Sequence, residues 1–337
     1  MDTQELYPLT FEPRYRDYLW GGRRMAEHFG RALPAGPCAE SWEISDRSEA
    51  VSIADWGPHT GRTLPDLIEH LGEHLLGTRC RPGETTTGPF PLLVKIIDAQ
   101  EILSLQVHPG DQAARAGGGD AKTEMWYVLA AAPGARVYCG LRDGVRPQDL
   151  PALAHSDEAG HYLREIELAP REAIFVPGGC VHAIGPGCLL LEIQQNSDTT
   201  YRVSDWGRVD AHGRARPLHI EEAMGVIRER CPGAGRVEPS ELPGPNTWKR
   251  RELSGCEHFQ VEEWELGGRH RIPLTGERCE ILFVAEGAVR VEAGGVVRQI
   301  GAGTSVLVPA GCGEYAVEAP GGAPALLIRA LPGPFCS

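Results

Sequence analysis

Phe175-Val176-Pro177-Gly178-Gly179-Cys180-Val181-His182 is a short apolar run, a Pro-x-Gly turn and then a polar side chain. The chain writes the same phrase again as Leu307-Val308-Pro309-Ala310-Gly311-Cys312-Gly313-Glu314. Upstream of each copy a second match follows, Glu124-Met-Trp-Tyr-Val-Leu answering to Glu280-Ile-Leu-Phe-Val-Ala. The spacing from Glu to Pro is 53 residues in the first copy and 29 in the second, and the difference reads as a helical insertion around 148–161. One β unit is therefore predicted to occur twice, ending on His182 in one copy and on Glu314 in the other.

Around these phrases, short runs rich in Val, Ile, Leu and aromatics alternate with Gly/Pro turns, at 91–98, 102–107, 125–129, 173–176, 189–193, 281–284 and 305–308. Short strands with frequent turn signals predict a mainly β chain of barrels or sandwiches. Helical periodicity is confined to 64–76, 147–153 and 219–230, the last with Ile220, Met224 and Ile227 on one face, so helices are accessories. Between Cys231 and Asn246 the text becomes Pro/Gly-rich without apolar period. A boundary there divides the chain into 1–240 and 241–337.

The bulk composition agrees with two domains. At about 150 residues per domain, 337 residues with 42% apolar and 23% charged side chains suffice for two cores. No apolar stretch approaches the roughly 20 residues of a membrane span. The start Met1-Asp-Thr-Gln-Glu-Leu-Tyr-Pro lacks the basic and apolar segments of a secretory signal, and a cytoplasmic protein is expected. Ten cysteines are scattered without a Cys-x-x-Cys pair, so they read as small buried thiols. A net charge of −13 disfavours nucleic acid and anionic membranes as partners. Only Lys95, Lys122 and Lys249 are lysines among 33 basic residues, which draws attention to positions where a compact ammonium has been kept.

Two of those lysines lie beside the polar positions of the first unit. In Ile102-Leu-Ser-Leu-Gln-Val-His108 strict alternation places Ser104, Gln106 and His108 on one face and Leu103, Leu105 and Val107 on the other. Lys122 and Glu124 share a face at the start of the next long strand, and His182 follows the Pro-x-Gly turn. Two imidazoles and a carboxylate from three strands suit a divalent metal with positions left open, Gln106 being a fourth candidate ligand. Each residue alone has an ordinary reading as a turn or solvated residue; the second unit keeps Glu280 but has no Gln-x-His-Pro strand, and so reads as a unit without metal.

Five stretches together carry a resemblance: Phe90-Pro-Leu-Leu-Val-Lys-Ile-Ile-Asp-Ala, Ser104-Leu-Gln-Val-His-Pro, Lys122-Thr-Glu-Met-Trp-Tyr, Val176-Pro-Gly-Gly-Cys-Val-His-Ala, and Leu191-Glu-Ile-Gln-Gln-Asn-Ser-Asp-Thr-Thr-Tyr-Arg-Val-Ser-Asp-Trp. With Leu19-Trp-Gly-Gly they resemble the type I mannose-6-phosphate isomerases, in the short bacterial form, over about residues 10–225. Beyond Asn246 the likeness is to the general cupin barrel. The resemblance implies two cupin-type jelly-roll β-barrels with a few accessory helices, the first catalytic and metal-binding (1–240), the second (241–337) without the metal triad. It implies one Zn²⁺ per chain on His108, Glu124 and His182, with Gln106 near or on it, an active-site Arg202, and substrate contacts from Lys95, Ser104 and Lys122. Gly110 after His-Pro and Arg171 in a turn that usually has Gly depart from the family pattern without touching those ligands.

The expected reaction is the interconversion of mannose 6-phosphate and fructose 6-phosphate by proton transfer between C1 and C2, with a small phosphorylated sugar as the partner. For the proton-shuttling base, Lys122, Glu192 and a metal-bound water stay open, and Glu192 is also a candidate substrate contact. Rival readings are an Fe(II) oxygenase, a sugar-binding cupin without turnover, and an isomerase of another phosphosugar. The 16-residue separation of His108 and Glu124 is unlike the close spacing expected on one strand of an iron oxygenase.

Overall fold

The protein is described by a computed structural model at residues 6–79, 89–154, 156–209, 212–245 and 247–333. Residues 1–5 of the start sequence, Cys80, Cys336 and Asn246 at the end of the predicted boundary stretch lie outside the described residues.

The strands Leu92–Ala99 and Cys188–Gln195 pair antiparallel over eight residues, Cys188 opposite Ala99 and Gln195 opposite Leu92. Nearly every side chain on both is buried, which explains why their sequences show apolar runs rather than alternation. They lie at the centre of a seven-stranded sheet ordered Arg14–Arg16, Glu40–Ile44, Leu92–Ala99, Cys188–Gln195, Glu124–Ala131, Ala173–Val176, Gly235–Arg236. A five-stranded sheet ordered Tyr201–Ser204, Leu105–Val107, His182–Ile184, Arg136–Leu141, Leu163–Glu167 packs over one face. Ile97, Trp126, Val128 and Leu190 from the large sheet meet Val137, Cys139 and Ile184 from the smaller one in the layer between.

The second half repeats this plan. A six-stranded sheet running from Ser240–Leu242 to Ser305–Val308 and a four-stranded sheet from Arg269–Pro273 to Val296–Gly301 enclose Trp264, Leu282, Val306 and Leu327 with Val289, Val291 and Val317. The predicted repeat is visible in the register. Glu124 pairs with Val176 in the first half and Glu280 with Val308 in the second. Each half is two packed sheets with no strand hydrogen-bonded from one sheet to the other among the described residues, a sandwich rather than a closed barrel.

The two large sheets pack back to back. Leu92, Val94, Ile96, Met125 and Tyr127 meet Val261, Ile281, Phe283 and Ile328 in one continuous core. The helix Leu64–Leu71 joins that core through Leu64, Leu67, Ile68 and Leu71. Leu92, Val94 and Ile96 therefore face the second half, and Lys95 and Ile97 face the interior of the first.

Three sequence expectations change in detail. The periodic segment 64–76 breaks at Gly72 (φ 52, ψ −123) into Leu64–Leu71 and Glu73–Leu76, because that backbone conformation cannot continue a helix. The segment 219–230 is helical only over Ile220–Val226 and buries Ala223 and Val226 rather than Met224, since the Arg228 amide leaves the helix to donate to Gly179 O at 2.8 Å. The strand expected at 102–107 begins at Leu105. Leu103 packs between the two sheets, while Leu105 and Val107 pack outside, under the insertion Pro147–Leu153 and the helix Ile220–Val226.

Candidate active site

The inner face of the seven-stranded sheet is apolar except near one end, where Lys95, Glu124 and Glu192 are all buried. Register brings them together: Glu192 lies opposite Lys95 on one side and Trp126 on the other. The five-stranded sheet faces them with a second polar rung, Arg202 opposite Gln106 and Gln106 opposite His182. Between the two runs a cleft of about 280 Å³, whose walls include Lys95, Ser104, Gln106, Lys122, Glu192 and Arg202. The predicted site residues thus converge from both sheets.

His108, Glu124 and His182 offer one ligand atom each within 4.8 Å of one another. His108 Nε2 is 3.5 Å from Glu124 Oε2 and His182 Nε2 is 3.4 Å from Glu124 Oε1. On the other side of each ring, Nδ1 lies 2.8 Å from a backbone oxygen, Thr199 O for His108 and Cys180 O for His182. A carbonyl can only accept, so both Nδ1 atoms carry the proton and both Nε2 atoms present lone pairs to the carboxylate. Burial keeps the rings neutral: it lowers the pKa of His108 well below its ordinary value, with Lys122 adding to the effect, and that of His182 to about 4.

Lone pairs and a carboxylate facing one another need a cation. Glu124 Oε2, although 2.9 Å from the Lys122 ammonium, accepts no well-directed hydrogen bond. Gln106 Nε2 lies 3.3 Å from His182 Nε2, so its side-chain amide reaches the same point. The donor set, the neutral imidazoles and the unsatisfied carboxylate oxygen fit a divalent ion.

Lys122 Nζ is held 3.1 Å from His108 Nε2, 2.9 Å from Glu124 Oε2 and 3.3 Å from Glu192 Oε1. Burial alone would lower its pKa, but Glu124 and Glu192 outweigh burial and raise it. For Glu192 burial raises the pKa, and Lys122 and Lys95 outweigh it to set the carboxyl below its ordinary value. Lys95 is fixed 4.5 Å from the Trp42 ring centre and 3.7 Å from Glu40 Oε2. Ser104 Oγ donates to Gln106 Oε1 at 3.4 Å. Arg202 NH1 donates to Pro217 O at 2.9 Å, while its buried Nε has no partner among the described residues.

Sequence reasoning missed Tyr18, Glu40, Asp198 and Arg216, which also line the cleft. Glu40 had a faint signal, a charge inside the fully buried strand Glu40–Ile44. Arg216, tied to Asp205 Oδ2 at 2.8 Å, stands in an irregular segment where periodicity carries no information.

In the second half the same positions hold different chemistry. Arg329 occupies the place of Glu192 in the register, opposite Leu282 as Glu192 is opposite Trp126. Its Nε donates to Glu280 Oε2 at 2.7 Å, and Tyr315 Oη donates to the same oxygen at 2.7 Å. The carboxylate corresponding to Glu124 is thus neutralised by a guanidinium of the chain itself.

Comparison with known proteins points to one family. The model for the catalytic domain of phosphomannose isomerase type I matches residues 9–131, and the model for the mannose-6-phosphate isomerase cupin domain matches residues 250–323. The chain is 34% identical over 314 residues to the mannose-6-phosphate isomerase ManA of Bacillus subtilis, covering 92% of this chain and 96% of that one. It is 33% identical to the mannose-6-phosphate isomerase of Streptococcus mutans, covering 85% and 87%. The crystal structure of a Bacillus subtilis mannose 6-phosphate isomerase superposes with a TM-score of 0.84 at 28% identity, covering 96% of this chain and 99% of that one. A mannose 6-phosphate isomerase bound with zinc and yttrium shares the fold, at a TM-score of 0.71 and 18% identity over 97% of this chain and 99% of that one. With relatives matched along nearly their whole length, the chain belongs to the type I mannose-6-phosphate isomerase family.

Proposed function

We propose that the protein interconverts mannose 6-phosphate and fructose 6-phosphate, with one Zn²⁺ per chain held by His108, Glu124 and His182 and with Gln106 within reach. The observation that carries this reading is the pair of Nε2 lone pairs aimed at Glu124 in a cleft that also holds Lys122, Glu192 and Arg202. When bound, the ion supplies Lewis-acid polarisation at the sugar's carbonyl and hydroxyl oxygens.

The chain's own residues do the rest. Moving a proton between C2 and C1 needs a base beside the cleft and donors for the negative charge that builds on the two oxygens. Lys122 holds its ammonium within 3.3 Å of His108 Nε2, Glu124 Oε2 and Glu192 Oε1, so it serves as a fixed positive charge. Glu192 is the base we assign: its Oε1 is buried without a well-directed hydrogen bond and it borders the cleft. It takes the proton from C2 of the aldose and delivers it to C1 of the resulting enediolate, while the hydroxyl proton passes from O2 to O1 as the carbonyl moves to C2. Arg202 turns its guanidinium to the developing oxyanion, a group that stays charged at any physiological pH. Lys95, Ser104 and Arg216 supply donors for the sugar and its phosphate, whose binding energy positions C1 and C2.

In the same reading residues 1–240 are the catalytic cupin-type half and residues 241–337 a second cupin-type half without a metal triad. The pairing of Arg329 with Glu280 supports this division.

A coupled assay of fructose 6-phosphate formation, run before and after chelation and again after zinc is restored, tests the proposal. Activity lost on chelation and recovered with zinc is expected. Sugar phosphate binding without turnover would favour a binding protein, and oxygen consumption with Fe(II) in place of fructose 6-phosphate formation would favour oxygen chemistry.

A further inference from the structure

The short helix Asp111–Arg115 begins one residue after His108-Pro109 and has no fully buried residue, with only Ala113 resting on the core beneath it. Hydrogen bonds add to that contact. Asp111 Oδ1 accepts from Gln195 Nε2 at 3.3 Å, and Gln195 Oε1 accepts the Thr123 amide N–H at 2.7 Å. The Gln195 amide returns a bond to Thr123 O at 3.1 Å. Gln195 therefore grips both sides of the peptide backbone between Lys122 and Glu124, and Asp111 holds the side chain of Gln195.

Asp111 is held in turn from the other half of the molecule. His258, in the turn between the strands Trp248–Gly255 and Phe259–Leu266, places Nε2 3.0 Å from Asp111 Oδ2. Its side chain is 14% exposed, at the edge of a cavity of about 640 Å³ between the halves. The turn has its own anchor: the Gly333 amide donates to His258 O at 2.7 Å. Glycine is needed there, since a Cβ on Gly333 would lie 2.0 Å from Glu257 O. The backbone thus presents the imidazole whether or not the imidazole finds Asp111.

We infer that His258 is a positioning residue for the catalytic strand, setting Lys122 and Glu124 through Asp111 and Gln195. This gives the second half a task in the reaction that it cannot perform with its own Glu280. The inference rests on the isomerase reading for its kinetic arm and on the hydrogen-bond chain alone for its structural arm.

The test compares full-length wild type with His258→Ala, His258→Gln and Glu257→Ala. Hydrogen exchange at the Thr123 amide is measured together with kcat and KM for mannose 6-phosphate. His258→Ala is expected to keep KM within about twofold, lower kcat about tenfold through sub-ångström misplacement, and speed Thr123 exchange about tenfold because a partner of its acceptor is released. Glutamine carries a donor near the position of Nε2 and is expected to restore both quantities, which general destabilisation by a substitution at this site would not do. Glu257→Ala, which removes a carboxylate 3.6 Å from His258 Nε2 but leaves the contact with Asp111 in place, should match wild type. Wild-type exchange and kcat in His258→Ala, or a glutamine variant no better than the alanine variant, would overturn the inference. If the wild type turns over no sugar phosphate, the isomerase reading fails while the exchange arm still decides the role of His258.

Discussion

Glu192 and Lys122 sit 3.3 Å apart and both line the cleft, and in the proposed reaction only the carboxylate acts as the base. The ammonium is fixed among two carboxylates and an imidazole, whereas Glu192 lines the cleft with a carboxylate oxygen that accepts no well-directed hydrogen bond. Glu192→Gln keeps the shape and removes the basicity, so kcat is expected to fall by about 10²–10⁴ with KM changed only a few-fold. The coupled assay measures both, and retention of more than a tenth of wild-type kcat would place the base elsewhere. Alternation in 102–108 and the Lys122-Thr-Glu124 spacing made Ser104, Gln106, His108, Lys122 and Glu124 legible in the sequence, because strand geometry turns spacing into direction. Asp198 and Arg216 were not legible, and Glu40 only faintly, since only the tertiary fold brings them to the cleft. Nor could the sequence separate Lys122 from Glu192 as base, a distinction made by which donors and acceptors are already occupied.

At the scale of elements, the turn Pro177-Gly178-Gly179 shows why a strand-turn phrase marks a site. Gly178 packs against the loop after His108, where a Cβ would lie 2.5 Å from Gly110 Cα and 2.6 Å from Pro109 O. That same Pro109 O accepts the Lys122 amide at 2.9 Å, and Gly179 N donates to His108 O at 2.7 Å. Gly178→Ala pushes backbone on backbone, which cannot be relieved by turning a side chain. It should weaken zinc binding at least tenfold through displacement of the ligand-bearing loop, as loss of supporting contacts does at metal sites. Competition with a chelating dye reads the affinity, and wild-type affinity would show that the loop has room to yield. The turn itself was readable from Pro and Gly, and so were the long buried strands. The helix break at Gly72 was not, because glycine within a helical period is compatible with either outcome. The early end of the Ile220–Val226 helix depends on a tertiary bond to Gly179.

For the whole molecule, two sandwiches on one plan differ by where positive charge comes from. Glu280 has Arg329, so metal analysis of the purified protein should give one zinc per chain, falling to none in Glu124→Gln; a second zinc that disappears in Glu280→Gln would contradict the built-in cation. The halves are also joined by charge. Arg171, in the turn where the family pattern has Gly, adopts φ 68, a left-handed conformation costly for a residue with a side chain. From there its NH2 reaches Glu263 Oε1 at 2.6 Å across the junction, while Arg251 NH2 donates to the same oxygen at 2.6 Å and Tyr127 Oη donates to Oε2 at 2.7 Å. The departure from Gly therefore supplies an inter-half contact. Burial raises the pKa of Glu263, but hydrogen bonds from Arg171, Tyr127 and Arg251 outweigh burial and hold it below the ordinary value of 4.5. Being depressed in the fold, the carboxyl contributes stability that is fully present above that ordinary value. As acid is added the unfolded chain takes up the proton first, so the contribution shrinks until the folded carboxyl is protonated as well. Glu263→Gln is expected to cost about 1.5–3 kcal/mol at pH 7, the range for hydrogen bonds to charged groups, and to cost progressively less below pH 4.5. Urea midpoints of both proteins from pH 7 down to pH 3 measure the difference. A gap between the two that stays constant over that range would mean that the charge on Glu263 plays no part in holding the halves together.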